Sequence, residues 1–192
     1  GLVGSEMCIR DRFYLVRLPV MSVVVFFFCC ITSAIIYPGS HKEIIEYQSE
    51  VYSFTHNFLS ELGSLKTNTD ETNPKIIQED NTPSMILFNA SLILIGATLM
   101  LFYVEFKRVF TLIKDSHKAR FYAKITLPVG LLAGFFYAGV GCVPHDLHFT
   151  THVFFANSAF LTLFFLCLLH SITVYHSTFI SNTYVIGYIS FC

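Results

Sequence analysis

Four stretches of this chain are each apolar over roughly twenty residues or more, the length that an α-helix needs to cross about 30 Å of hydrocarbon at 1.5 Å per residue. They cover residues 18–37, 85–106, 121–143 and 152–175. A fifth begins near residue 178 and is cut where the chain ends at residue 192. In lipid every backbone N–H and C=O must be satisfied within the segment, which leaves helices as the spanning element for runs of this length. The expected fold is therefore an all-α polytopic transmembrane bundle with four complete spans plus a truncated fifth, and six spans in the full-length protein. Residues 13–192 would form this single domain.

Composition agrees: 54% of residues are apolar, 21 are phenylalanine, none is tryptophan, and the formal net charge is −1. Near-neutral charge without a basic cluster interleaved with aromatics argues against a nucleic-acid partner and leaves membrane lipids as the partner class. Residues 1–12, Gly1 to Arg12, match the in-frame translation of a transposase sequencing adapter and are set aside as non-native. The first span lacks a small-x-small cleavage site after it, so it reads as a retained anchor.

Lys107, Arg108, Lys114, Lys118 and Arg120 lie between the second and third spans, which places that loop and the amino terminus inside. Residues 38–84 and 144–151 then fall outside. The longer of these outer loops is acidic. Its part from Ile44 to Leu65 carries apolar residues at mixed three-and-four spacing, which predicts a helix along the bundle. From Lys66 to Ser84 it is rich in turn residues and is expected to be mobile.

The shorter outer turn holds Pro144, His145, Asp146, His148 and His152. His148 and His152 stand four apart and share a face if the helix begins by Leu147. Asp146, His148 and His152 could then ligate a metal, zinc being the ion of choice. Alternatively, Asp146 caps the fourth helix. No other cofactor is evident. His170 and His176 lie toward the inner end with no facing histidine for a haem, and Cys29, Cys30, Cys142, Cys167 and Cys192 are scattered. Gly130, Gly134, Gly139 and Gly141 form a small-residue stripe suited to helix packing. Asn89, Asn157 and Ser158 are polar groups within spans that must find partners, and the sequon at Asn89 sits too deep for glycosylation.

Tyr37-Pro38-Gly39, Asn57-Phe58-Leu59-Ser60-Glu61-Leu62-Gly63, Phe88-Asn89, and Gly139-Val140-Gly141 followed by Pro144, Asp146 and His152 occur in an order and spacing that resembles the membrane family called domain of unknown function 998. Val143 departs from that family's usual Phe. A more distant likeness is to the six-span Frag1/DRAM/Sfk1 group. The resemblance implies a six-helix bundle and no settled activity. Ser60, Glu61, Asn89, Asp146, His148 and His152 make up the expected outer-face site. No complete catalytic set is evident, which favours a lipid-binding or membrane-organising protein. The rivals are a metal-dependent lipid hydrolase with Glu61 as general base and a small-solute transporter.

Overall fold

The computed structural model describes residues 9–191. The first eight residues of the adapter-like segment and Cys192 lie outside the described residues. Helix α1 (Leu18–Ile36) continues from a π-helical turn at Phe13–Arg17, and Pro19, which has no N–H to give to the preceding turn, follows directly on that wider turn. It ends at Tyr37, whose extended backbone is what a following proline demands. Helices α2 (Thr82–Leu112), α3 (His117–Cys142) and α4 (Phe149–Tyr175) follow, and a short α5 (Thr183–Phe191) lies against α4.

Four of these helical segments are long and apolar enough to cross a membrane. The fold is thus an all-α bundle suited to a membrane, packed in chain order with α2 against α3 as the most extensive contact. Helix α2 continues six residues past the apolar run, because nothing stops it until Lys114 adopts a left-handed backbone at φ 52°. The fifth apolar run starts as a turn at 177–182, and its helix begins only at Thr183.

Glycine governs how closely the helices approach. A β-carbon at Gly134 would lie 2.5 Å from the Gly96 carbonyl oxygen, so α2 and α3 touch backbone to backbone there. Gly130 lies beneath the Tyr103 ring, Gly139 beneath Phe155, and a β-carbon at Gly141 would sit 2.5 Å from the Asn89 carbonyl oxygen. Two apolar clusters result. One joins Tyr103, Phe106, Phe110, Ala119, Ala123 and Leu166 toward the basic end, and the other joins Cys30, Tyr37, Tyr52, Leu62, Phe88 and Leu92 at the looped end.

The helix expected over 44–65 does not form. Strands β1 (Ser40–Lys42) and β2 (Tyr47–Ser49) pair antiparallel around a 3-10 turn at Glu43–Ile45, and Leu59–Gly63 is a second 3-10 turn. Left-handed backbone at Gly39 (φ 117°) and Glu46 (φ 51°) brings the strands together. The helical spacing misled because Ile44, Val51, Phe54 and Phe58 remain exposed, while Tyr52 and Leu62 are buried. Nor is 66–84 left untethered. Thr67 N–H donates to the Glu79 carbonyl at 3.0 Å, and Asn81 N–H to that of Leu65 at 2.9 Å.

Gly134→Val should lower stability by about 2–3 kcal/mol or more, because the added atoms meet backbone that cannot turn aside. Gly187→Ala, with open space around it, should be neutral or slightly stabilising. Thermal unfolding in detergent micelles would compare the two.

Candidate functional site

The looped end is organised around the Leu59–Gly63 turn, which sits among the ends of three helices with its backbone polar groups unpaired by regular structure. Side chains take over that task. Asn81 Nδ2 donates to the Ser64 carbonyl at 2.9 Å and also reaches those of Glu61 and Leu62 at 3.3 and 3.4 Å. Ser84 Oγ donates to the Leu62 carbonyl at 3.0 Å, and Asn89 Nδ2 to the Gly63 carbonyl at 3.0 Å. A β-carbon at Gly63 would collide with the Asn89 side chain, so only glycine permits this approach. Asn89 is buried and engaged, which closes its sequon to modification.

Glu61 is buried within this turn and reaches four partners. Its Oε1 accepts from Phe58 N–H at 2.8 Å, and its Oε2 from Asn57 Nδ2 at 2.8 Å and the Tyr37 hydroxyl at 3.5 Å. Lys42 Nζ lies 3.1 Å from Oε2, in an ion pair whose side chains are 9% and 7% exposed, and 3.0 Å from Asp70. Burial works against the Lys42 charge, but Glu61 and Asp70 outweigh it and hold the ammonium above the ordinary lysine value. Ser60 is half-buried on the same turn.

The turn between α3 and α4 closes the site from the other side. Asp146 Oδ2 accepts from the backbone N–H groups of Leu65 and Lys66 at 2.9 and 3.1 Å. The expected cap on α4 is therefore not Asp146. His148 fills that position, its Nδ1 accepting from Thr151 N–H at 3.3 Å. His152 Nδ1 donates to the Val143 carbonyl at 2.7 Å, which fixes its tautomer.

The three candidate metal ligands Asp146, His148 and His152 each bond a different backbone group. The helix begins at Phe149, beyond the Leu147 start that would have put both imidazoles on one helical face, and Asp146 Oδ1 is buried without a hydrogen-bond partner among the described residues. Among the described residues no group of three or more His, Cys, Asp or Glu side chains could hold a metal ion. Glu61, the expected general base, is committed to Lys42 and Asn57.

Asn89 and Asp146 thus converge on the 63–66 backbone, while the Glu61 side chain turns back to Asn57, Phe58 and Lys42. Asn157 is exposed and Ser158 half-buried on α4, away from the polar contacts described above. Lys42, Asn57 and Asn81 were missed. Lys42 could have been noticed as the single Lys or Arg between residues 40 and 65. Beside this network, Ile31, Ala34 and Ile35 of α1 and Val51, Tyr52 and Phe54 of the loop line an open groove of about 360 Å³.

Two further polar groupings lie toward the basic end. His170 is buried on α4, its Nδ1 3.1 Å from the Tyr103 hydroxyl and its ring stacked on Phe106 at 4.5 Å. Asp115, buried in the α2–α3 turn, accepts from Ser177 Oγ at 2.6 Å, Thr178 N–H at 2.9 Å and Ser116 N–H at 2.6 Å, tying that turn to the start of the 177–182 segment. Burial would raise its carboxyl, but the hydrogen bonds from Ser177, Thr178 and Ser116 prevail and hold it below the usual value. Arg108 pairs with Glu105 and with Asp11, and Arg10 with Glu105, so two residues of the adapter-like segment lie at this end.

No family model, no curated protein and no solved structure matches this chain.

Glu61→Leu should destabilise the protein by about 3–5 kcal/mol, because Lys42 loses its buried partner and Asn57 and Phe58 lose an acceptor. Adding Lys42→Met should recover part of this loss, and a double-mutant cycle on thermal unfolding would measure it. Asp115 carries a separate acid dependence. Its lowered folded value means that its contribution is complete above the ordinary aspartate value of about 3.9 and fades as pH falls through the folded value. Asp115→Asn should flatten the acid limb of the stability profile below about pH 4.

Proposed function

We propose that this chain is an integral membrane protein that binds and organises lipid at its looped end and does so without catalysis. The groove between α1 and the loop carries this reading. On α1, Val20, Val24, Phe27, Phe28, Ile31 and Ile35 are exposed at three-and-four spacing, a continuous apolar stripe of the kind that faces hydrocarbon. Ile31 and Ile35 end that stripe and also line the groove, and Val51 and Phe54 extend it onto the loop. A lipid acyl chain lying along α1 would run into this cleft. Ile44, Ile45 and Phe58 add exposed apolar surface on the same loop, a pattern that fits insertion at the lipid interface.

The finer elements belong to the same proposal. The looped end faces outward and the basic end inward, following the distribution of Lys and Arg. The full-length bundle has six spans, and the chain is a relative of the domain of unknown function 998 family. What supports the last point is that Tyr37, Glu61, Gly63, Asn89 and Asp146, drawn from four separate motifs, act on one short turn. Hydrolysis has less support, since Asp146 Oδ2, His148 Nδ1, His152 Nδ1 and both oxygens of Glu61 bond groups of the chain itself. Transport would rest on His170 and Tyr103, which are bonded to each other.

A phospholipid with a photoactivatable acyl chain tests the groove. Labelling should reach Val51, Tyr52 or Phe54 and fall several-fold in the Val51→Asp, Phe54→Asp double variant. Labelling confined to the membrane-facing helices, with none on the loop, would refute the reading.

A further inference from the structure

At the opposite end of the bundle, charge is left over. Residues 107–124 contain six Lys or Arg and one acid. Arg108 is held by Glu105, and Asp115 spends its carboxylate on Ser177, Thr178 and Ser116. Among the described residues no carboxylate lies within ion-pair distance of Lys114, Lys118, Arg120 or Lys124. The Nε of Arg120 is buried with no acceptor, which is costly for a cationic donor.

The exposed face of α3 shows what kind of molecule would satisfy these groups. Phe121, Ile125, Pro128, Leu132 and Phe135 follow one another at three- and four-residue spacing along a single exposed stripe. At 100° per residue, Lys118 borders that stripe on one side and Arg120 and Lys124 border it on the other, all within its first two turns. Beyond Lys124 the stripe is wholly apolar. A ligand covering it must be anionic at one end and hydrocarbon along the rest. A soluble phosphate would leave Phe121 through Phe135 uncovered, and a neutral lipid would leave the cations without a partner.

We propose that this stripe binds an anionic phospholipid, its phosphate held by Lys118, Arg120 and Lys124 and one acyl chain laid along Ile125, Pro128, Leu132 and Phe135. The rise of an α-helix places Leu132 about 12 Å beyond Lys124, a depth that an acyl chain spans within one leaflet. Cations at the membrane surface attract anionic headgroups strongly enough for each to change affinity about fivefold. The site is separate from the groove at the looped end and does not depend on it.

Native mass spectrometry of the delipidated protein, titrated with phosphatidylglycerol or phosphatidylcholine of identical chains, tests the assignment. The expected result is a preference for phosphatidylglycerol of roughly tenfold or more. It should collapse to near parity in Lys118→Gln, Lys124→Gln and persist in Lys118→Arg, Lys124→Arg. Lys124→Gln alone should show a partial loss, which keeps the test decisive if the double variant unfolds. Glycerol phosphate at the same concentration should not displace the lipid. Equal retention of the two lipids by the wild-type chain would overturn the proposal, as would a preference unchanged by the Gln variants. Displacement by glycerol phosphate would overturn the lipid assignment in favour of a site for free phosphate. Loop labelling at Val51 to Phe54 is read at the other end, so the two readings fail separately.

Discussion

A short run of irregular backbone at the end of an apolar bundle imposes the demand that the looped end is built to meet. The Leu59–Gly63 turn and the residues after it have carbonyl and amide groups that no ladder or helix claims, and in a partly dry setting each would be costly if left alone. Asn81, Ser84 and Asn89 from α2 supply donors to the carbonyls, and Asp146 from the α3–α4 turn accepts from the amides of Leu65 and Lys66. Glu61 turns back to accept from Phe58 N–H and is balanced by Lys42. Three helices and two loops are thereby fastened at one point. Gly63 and Gly141 belong to the same demand, since both lie where Asn89 presses closest.

This explains why the polar residues of the sequence resembled a reaction centre. A carboxylate, several imidazoles and a buried ion pair gathered at one face are what catalysis requires, and they are also what irregular backbone requires. His148 Nδ1, His152 Nδ1, Asp146 Oδ2 and both oxygens of Glu61 are directed at groups of the chain itself, while Asp146 Oδ1 and His145 Nδ1 are buried without a partner among the described residues.

The helical part of the fold was legible because its signal is local: a run of apolar side chains long enough to cross hydrocarbon can be read one segment at a time. Gly130, Gly134 and Gly141 were legible for the same reason, their spacing marking the face that α3 turns to α2, whereas Gly139 lies on the opposite side against Phe155 of α4. Residues 40–65 were not. Their apolar spacing imitates a helix, but the decisive facts are long-range: Asn57 bonding Ser40, Lys42 reaching Glu61 and Asp70, and Tyr52 packing on Tyr37. The pairing of His170 with Tyr103 was not legible either, the two being 67 residues apart, with Gly130 leaving room for the Tyr103 ring against α3.

The two ends of the bundle face the same solvent boundary with opposite solutions. At the looped end acids predominate, the cation Lys42 is drawn inward to pair with Glu61, and the surface left facing out mixes the apolar Ile44, Val51, Phe54 and Phe58 with the acids Glu43, Glu46, Glu50, Glu79 and Asp80. At the basic end the buried acid Asp115 is neutralised by hydroxyl and amide donors instead of by a lysine, and the surface left facing out is cationic. Asp115 is thus satisfied without a cation, whereas the other buried carboxylate of this end, Glu105, is paired with Arg108. Had Asp115 recruited Lys114 or Lys118, the basic stripe would have lost part of its charge. Because Ser177 and Thr178 serve it, those lysines remain available, and the same contacts bring the start of the fifth apolar run against the α2–α3 turn.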